Sequence, residues 1–375
     1  MHVVEAMHRG GAESLVVEHV RLAAPDVTSC VVALNRGGPA LEAAAAAGAT
    51  VAVLGKGGAR LAGLARLTAL LRARRVEVVN GHNPTGALYA TLAARLAGVP
   101  VVVRTEHSVH YPGRGFALYG PVEALLTALS DRVVAVCEAV RASHASRLRW
   151  AERRFVTVLN GVAEDAAAPA REPARAALGL APHERAVLSV GSLTPQKAQD
   201  VLLAAFATVA ARVPEAVLLL AGEGRLEPEL RARHAALGLG ARVRFLGARD
   251  DVPALMAACD LYVLSSVREG LSVTLLEAMR AGRACVATAV GGNAEAVADG
   301  DSGRVVPARD PAALAEAVAG LLADPERLAA CGAAGARRFR ARFTAARMVR
   351  ETEAVYRAAL AGRGVRAGEA GRALA

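Results

Sequence analysis

Two glutamates eight positions apart, Glu269 and Glu277, bracket a loop and a helix start in the run SSVREGLSVTLLEAMRAG, residues 265–282. The apolar strand-like segment Leu261–Val263 ends just before this loop. Ser272 is expected to cap the helix that follows, and Gly282 to stop it. Glu277 then lies in the second helical turn, separated from Glu269 by the helix start. The backbone N–H groups of Gly270, Leu271 and Ser272 fall between the two carboxylates. Amides without intrahelical acceptors suit an anion such as a diphosphate. A carboxylate on either side can accept hydrogen bonds from hydroxyls, a sugar ring on one side and a ribose on the other. Taken alone, the pair reads equally as an ordinary helical glutamate and a surface loop glutamate.

Five further segments carry residues suited to the same chemistry, each placed after an apolar run. Met7–Glu13, MHRGGAE, sets Gly10 and Gly11 before a helix, where the backbone can approach an anion closely. It is neither a Gly-x-Gly-x-x-Gly fingerprint nor a Walker loop. RTEHSVH, residues 104–110, puts His107 at a strand end, with His110 further into the loop; imidazole suits hydroxyl contacts and proton transfer. VGSLTPQK, residues 190–197, ends on Lys197, one of two lysines beside 43 arginines, a point charge suited to phosphate. LAGEGRL, residues 220–226, reads as a tight glycine turn. FLGARDDVP, residues 245–253, offers backbone groups at Leu246. By contrast, Asp299–Asp301 sits in the polar turn ADGDSG and reads as turn chemistry. No His, Cys, Asp or Glu set has metal-ligand spacing, so no metal is expected.

The elements that must position these residues alternate along the chain. Strand candidates in the first half are His2–Val4, Ser29–Leu34, Thr50–Leu54, Val76–Asn80, Val99–Arg104, Arg132–Val136 and Phe155–Leu159. Helical runs such as Ala59–Arg74 and Gly86–Leu96 lie between them. The pattern restarts with Ala186–Val190, Val217–Ala221, Val243–Leu246, Leu261–Val263, Cys285–Thr288 and Arg304–Val306. Strands apolar on both faces and separated by helices indicate parallel sheets covered on both sides. The fold class is therefore α/β, with two Rossmann-like domains facing each other across a cleft. In such sheets ligands bind beyond the carboxyl ends of the strands. The expected boundaries are an N-terminal domain to residue 162, a linker over 163–182, a C-terminal domain over 183–343, a last helix over 344–361 and a loose tail over 362–375. That helix is expected to pack back toward the N-terminal domain.

Composition bounds the class. Hydrophobic residues make up 54% of the 375 and charged residues 21%, which excludes a disordered chain. The first 160 residues carry 18 basic and 11 acidic side chains, so the excess of positive charge lies mainly there. That half can meet an anionic membrane or phosphorylated substrates, or simply present a solvated arginine surface. Arg141–Phe155, with five arginines and the only tryptophan, Trp150, is expected to form a basic helix able to lie on anionic lipid. Five cysteines without a Cys-x-x-Cys spacing fit a reducing cytoplasm, peripheral association at the inner membrane face included. No signal peptide or membrane-spanning run is read. Because Met1–Val4 already reads as a strand, the chain is expected to lack a few residues at its start.

As an ordered set, the motifs resemble the retaining glycosyltransferases of family 4, which have the GT-B fold. The resemblance runs through GGAE (10–13), RTEH (104–107), SDRVVAVCEAVR (130–141), LNGV (159–162), VGSLTPQK (190–197), GEG (222–224), VRFLGARDDVP (243–253), REGLSVTLLEAM (268–279) and VGGNAEAV (290–297). It implies a nucleotide-sugar donor, UDP- or GDP-linked, held mostly by the C-terminal domain without a metal. It implies that Glu277 holds the ribose, Glu269 contacts the donor sugar, Lys197 binds phosphate, and Gly11, beside Gly10, approaches the diphosphate. His107 would stand near the reaction centre. Ser192 departs from the pattern, because many relatives carry arginine there. The implied activity is hexosyl transfer to a hydroxyl of a glycan, lipid-linked or small-molecule acceptor, with no role for nucleic acid. A nucleotide-sugar epimerase on the same fold and a non-catalytic partner subunit remain alternatives.

Overall fold

Consecutive apolar residues along each strand send side chains to opposite faces, so a strand such as VVAL must be covered by helices on both sides. The computed structural model describes residues 1–8, 10–58, 60–109, 116–165 and 167–364. They divide into two compact units: Met1–Gly161 together with the chain from Ala345 onward, and Val162–Thr344.

The strands of the first unit are β1 (His2–Ala6), β2 (Cys30–Arg36), β3 (Thr50–Val53), β4 (Val78–His82), β5 (Val101–Glu106), β6 (Arg132–Ala135) and β7 (Phe155–Thr157). They form one sheet in the order β3-β2-β1-β4-β5-β6-β7, and every pairing in it is parallel. Its helices are α1 (Gly11–Arg21), α2 (Pro39–Ala46), α3 (Arg60–Ala73), α4 (Asn83–Ala97), α5 (Phe116–Leu129) and α6 (Glu138–Ala145). Val3, Val32, Leu34 and Val79 face α3 and α4, while Val4, Val31 and Ala33 face α1 and α2. Small residues let α4 close in on the sheet. A Cβ on Gly86 would lie 2.7 Å from the Val3 carbonyl oxygen, closer than van der Waals contact allows.

The second unit repeats the plan with β8 (Arg185–Val190), β9 (Ala216–Ala221), β10 (Val243–Gly247), β11 (Leu261–Leu264), β12 (Ala284–Thr288) and β13 (Gly303–Val306). Their order is β10-β9-β8-β11-β12-β13. The helices are α7 (Arg171–Ala177), α8 (Gln199–Arg212), α9 (Glu227–Ala236), α10 (Val252–Ala258), α11 (Val273–Arg280), α12 (Asn293–Ala296), α13 (Pro311–Leu322) and α14 (Pro325–Arg342). In each sheet the strand order reverses direction beside the unit's first strand, between β1 and β4 and between β8 and β11. That reversal opens a crevice at the carboxyl ends, where ligands of doubly wound sheets bind.

One connection differs from the composition-based reading. Residues 163–182 include α7, whose Arg171 pairs with Asp260 at 2.6 Å. Arg175, buried beside it, donates to the Ala258, Ala181 and Glu184 carbonyls. Proline and charge suggested a linker, but the two arginines reach buried acceptors and tie the segment to the second unit. The last helix, α15 (Ala345–Ala361), belongs to the first unit. There Glu353 accepts from the Ala24 amide at 2.9 Å, and the Tyr356 hydroxyl accepts from Asn80 at 2.7 Å.

Asp260 also accepts from the Ala186 amide at 2.7 Å, so one carboxylate joins α7, β8 and the start of β11. Asp260→Ala is expected to destabilise the second unit by about 3 kcal/mol, because it leaves two guanidinium groups without their counter-charge. The denaturant midpoint should fall with little change in slope. A shift under about 0.5 kcal/mol, the size of an ordinary surface substitution, would contradict this role.

Candidate functional site

In the second unit the loops after β8 and β11 meet at the switch point. β11 ends at Leu264, and the chain runs through Ser265–Ser272 into α11. Several bonds pin this loop. The Val267 amide donates to the Gln196 carbonyl at 2.8 Å, and the Gln196 side chain donates to the Arg268 carbonyl at 3.0 Å. Ser265 donates to the Lys197 carbonyl at 2.9 Å, and Thr288 to the Ser266 carbonyl at 2.6 Å. The VGSLTPQK and REGLS segments are thus one hydrogen-bonded unit.

Glu269 is 6% exposed, which removes the surface-loop reading. Its carboxylate receives the Lys197 ammonium at 2.6 Å and the Ser266 hydroxyl at 2.6 Å. Burying a carboxylate is costly unless such partners compensate its charge. Lys197 therefore does not stand as a free point charge before α8: without a ligand it is paired with Glu269. The ammonium is the more open partner, with its side chain 19% exposed against 7% for the carboxylate. An anion arriving from solvent can therefore reach the cation.

Glycines press the neighbouring loops together. Gly291 has φ of 54°, and a Cβ there would lie 2.3 Å from the Glu269 carbonyl oxygen. The next amide, Gly292, donates to the Gly270 carbonyl. Gly222, at φ 139°, would place a Cβ 2.0 Å from the Gly191 carbonyl oxygen. The GEG and VGGNAEAV segments, weak as motifs, are packing surfaces for the two loops that carry Lys197 and Glu269. Gly270 and Leu271 lead into α11, and Leu246 is the penultimate residue of β10, before Gly247, whose carbonyl accepts from the Gly222 amide at 2.7 Å.

Ser272 occupies the N-cap position of α11, but its side chain does not cap the helix. Its hydroxyl lies 3.2 Å from that of Thr274, which is itself drawn to Tyr262 at 2.6 Å. That competing chain of hydroxyls is why the expected cap is absent. α11 ends as expected. Gly282 adopts φ of 66°, with Arg283 N–H to Ala278 O at 2.9 Å and Gly282 N–H to Met279 O at 3.0 Å. Among the described residues the Ser192 hydroxyl makes only a long 3.5 Å contact with Thr194, so it is not committed to the fold there. The Asp299 carboxylate accepts from the Val305 amide at 2.9 Å, a turn contact. No cluster of His, Cys, Asp or Glu able to hold a metal occurs among the described residues.

Glu277 is half-buried in α11. Burial pushes its carboxyl up to about 7, opposed only by the Arg280 guanidinium.

In the first unit, Gly10 precedes α1 and Gly11 opens it. The Glu13 carboxylate folds back over Gly10, so close that a Cβ there would meet Oε2 at 2.2 Å. Burial raises its pKa. His107 follows β5, and its Nε2 lies 3.0 Å from His82 Nδ1. His82 ends β4, and its Nε2 lies 2.9 Å from His2 Nδ1. His19 stacks on His2 at 5.3 Å between ring centroids. Burial holds His107 and His19 down at about 4 and lowers His2 and His82 further, so the rings are neutral at pH 7. Of these histidines only His107 stands out in the sequence, but His82 shares its signal, a polar residue ending an apolar strand. His110 lies outside the described residues.

The expected basic helix over 141–155 is not formed. α6 ends at Ala145, and a 3₁₀ turn spans Arg149–Arg154. The break lets Leu148 and Ala151 pack with Phe155 against Val133. Arg141 pairs with Glu138, and Arg154 donates to the Ser130 carbonyl. Trp150 is 62% exposed. Among the described residues no helix is long and apolar enough to cross a membrane.

Two doubly wound parallel sheets with a charged pair at the carboxyl ends of one define the class: a GT-B protein. Residues 9–166 match the Glycosyltransferase Family 4 description and residues 170–338 match Glycosyl transferases group 1. EpsD of Bacillus subtilis (strain 168), named as a glycosyltransferase, is 31% identical over 75% of this chain and 76% of its own length. A D-inositol 3-phosphate glycosyltransferase of Thermobispora bispora is 34% identical over 79% and 75%. The crystal structure of Anabaena Alr3699/HepE with UDP and glucose superposes with a TM-score of 0.80 at 20% identity, covering 94% of this chain and 98% of that one. The chain belongs to the family 4 glycosyltransferases.

Glu277 generates a pH test of its own. Its folded pKa of about 7 lies above the ordinary value of 4.5. The unfolded chain therefore releases this proton first, and stability falls as pH rises between those values. Glu277→Gln is expected to flatten that fall in denaturant midpoints measured across the same range. An identical slope in the variant would contradict the assignment.

Proposed function

We propose that this enzyme moves a hexosyl group from a nucleotide diphosphate sugar to an acceptor hydroxyl, with retention of anomeric configuration. The observation that carries the proposal is the Lys197–Glu269 pair, at 2.6 Å, seated beyond β8 and β11. The cation meets a diphosphate, and the anion is held within one loop of it. The donor's C1–O bond to phosphate breaks as the acceptor oxygen bonds to C1, and the acceptor proton passes to the leaving phosphate oxygen. Negative charge grows on the diphosphate and positive charge on C1. Lys197 and the amides at Gly270, Leu271 and Ser272 stabilise the first, and Glu269 the second. Glu277 accepts hydrogen bonds from the ribose hydroxyls. The Leu246 backbone borders the base, Ser192 adds a hydroxyl toward phosphate, and Gly10 and Gly11 offer the start of α1 to the diphosphate. His107, neutral at pH 7, contributes a hydrogen bond without a charge of its own.

UDP-sugars are the first donors to test, because the HepE structures were determined with UDP, UDP-glucose, or UDP and glucose. The acceptor hydroxyl belongs to a glycan, a lipid-linked sugar or a small molecule. Product formation should be measured with Glu269→Ala, Lys197→Ala and His107→Ala. Each is expected to lose about a hundredfold or more in kcat, the scale of removing one preorganised charge-stabilising group. Near-normal rates in all three would overturn the assignment. Release of an isomeric sugar nucleotide without acceptor would instead identify an epimerase.

A further inference from the structure

A histidine beside a reaction centre must present one defined ring nitrogen, and the hydrogen bond made by its other nitrogen decides which. His107 has such a bond, and its partner is another histidine. His107 Nε2 lies 3.0 Å from His82 Nδ1, and His82 Nε2 lies 2.9 Å from His2 Nδ1. The rings are close and roughly aligned, with centroids 5.3 Å and 5.2 Å apart and planes tilted by 30° and 26°. Each comes from a different place: His2 from β1, His82 from the end of β4, His107 from just after β5. β1, β4 and β5 are neighbours in the sheet, so the line of rings crosses the switch point of the first unit.

A neutral imidazole has one N–H donor and one acceptor nitrogen. Three neutral rings in series must therefore all donate in the same direction. Only two orderings exist, and fixing one contact fixes the rest. The far end decides between them. The two ends differ in burial: His2 is 7% exposed, while His107 is half-buried. The N–H left over by the series meets water or a ligand more readily at the half-buried end, so the bare nitrogen belongs at His2. The ordering with a bare His2 Nε2 has His2 Nδ1–H donating to His82 and His82 Nδ1–H donating to His107 Nε2. His107 is then left with Nδ1–H directed away from the chain.

We propose that His82, itself oriented by His2, is a positioning residue that holds His107 in the Nδ1–H tautomer, so that it presents a hydrogen-bond donor. A histidine in water favours the opposite tautomer, so the chain would invert the ordinary preference. Burial supports this, since it keeps every ring of the series neutral. A small cavity lined by His19, His82, Thr105, His107, Asn160 and Thr352 adjoins the rings. The inference rests on the glycosyl-transfer reading only in giving His107 a substrate to face. The partner acceptor would be a sugar hydroxyl oxygen.

The test is a long-range ¹H–¹⁵N correlation spectrum of ¹⁵N-histidine-labelled protein at pH 7, with His107 assigned by its loss in His107→Gln. The proposal expects Nδ1–H on His107 in the unmodified protein. An Nε2–H or averaged pattern there overturns it, whatever the activity. His82→Phe keeps the ring shape but has no N–H to give. It should release His107 to the ordinary tautomer and lower kcat about tenfold with donor KM little changed, the scale on which orienting partners act. His82→Asn places an amide N–H where Nδ1 stood and should restore both the Nδ1–H signature and most of kcat. A His107 signature unchanged by Phe, or no better with Asn than with Phe, also overturns the proposal. If the signature is as expected but His107→Ala transfers sugar at the normal rate, the histidine chain stands and the role of His107 in transfer fails.

Discussion

The ion pair between Lys197 and Glu269 is the constraint around which the second unit is arranged. A carboxylate only 6% exposed is costly to bury unless a partner compensates its charge, and the Lys197 ammonium is that partner. Holding the two at 2.6 Å needs the β8 and β11 loops in one register. The Val267 amide, the Gln196 side chain and the Ser265 hydroxyl supply that register. Gly291 and Gly222 lack a Cβ because the backbone of those loops occupies the space. In the proposed reaction the diphosphate takes the place that Glu269 occupies on Lys197, so donor binding is an exchange of partners for the cation. After the exchange Glu269 keeps its bond from Ser266, which stops it from becoming an unsatisfied buried charge.

The two units use one sheet order to different ends. In the second, the switch point carries charge, with Lys197 and Glu269 beyond β8 and β11. In the first, it carries a line of neutral imidazoles between β1, β4 and β5. Burial without counter-charges explains the difference. With no carboxylate among the described residues that shifts them, desolvation drives His2, His82 and His107 to their neutral form.

The strands and the placement of chemistry after them were legible because parallel sheets demand doubly apolar runs, and both sheets contain every strand so read. The stop at Gly282 was legible because only a left-handed residue completes that helix end. Other features depended on contacts between distant residues. Ser272 has the right side chain for a cap, yet Tyr262 and Thr274 draw the local hydroxyls elsewhere. The arginines of 141–155 suggested a surface helix, but Leu148 and Phe155 break it to reach Val133. Residues 163–182 read as linker until Asp260 is seen to hold Arg171. His82 carried a signal that went unread, and its partners, His2 and His107, lie 80 and 25 residues away.

Exchange of partners by Lys197 is tested most directly by calorimetric titration of UDP into Lys197→Met and Glu269→Gln. The account predicts opposite effects. Loss of the cation should weaken UDP binding about tenfold or more, the worth of one charge-assisted contact. Neutralising the competing carboxylate should leave UDP affinity equal or higher while transfer falls. Equal weakening in both variants would contradict the account, since Glu269 would then be holding the nucleotide and not releasing Lys197 to it.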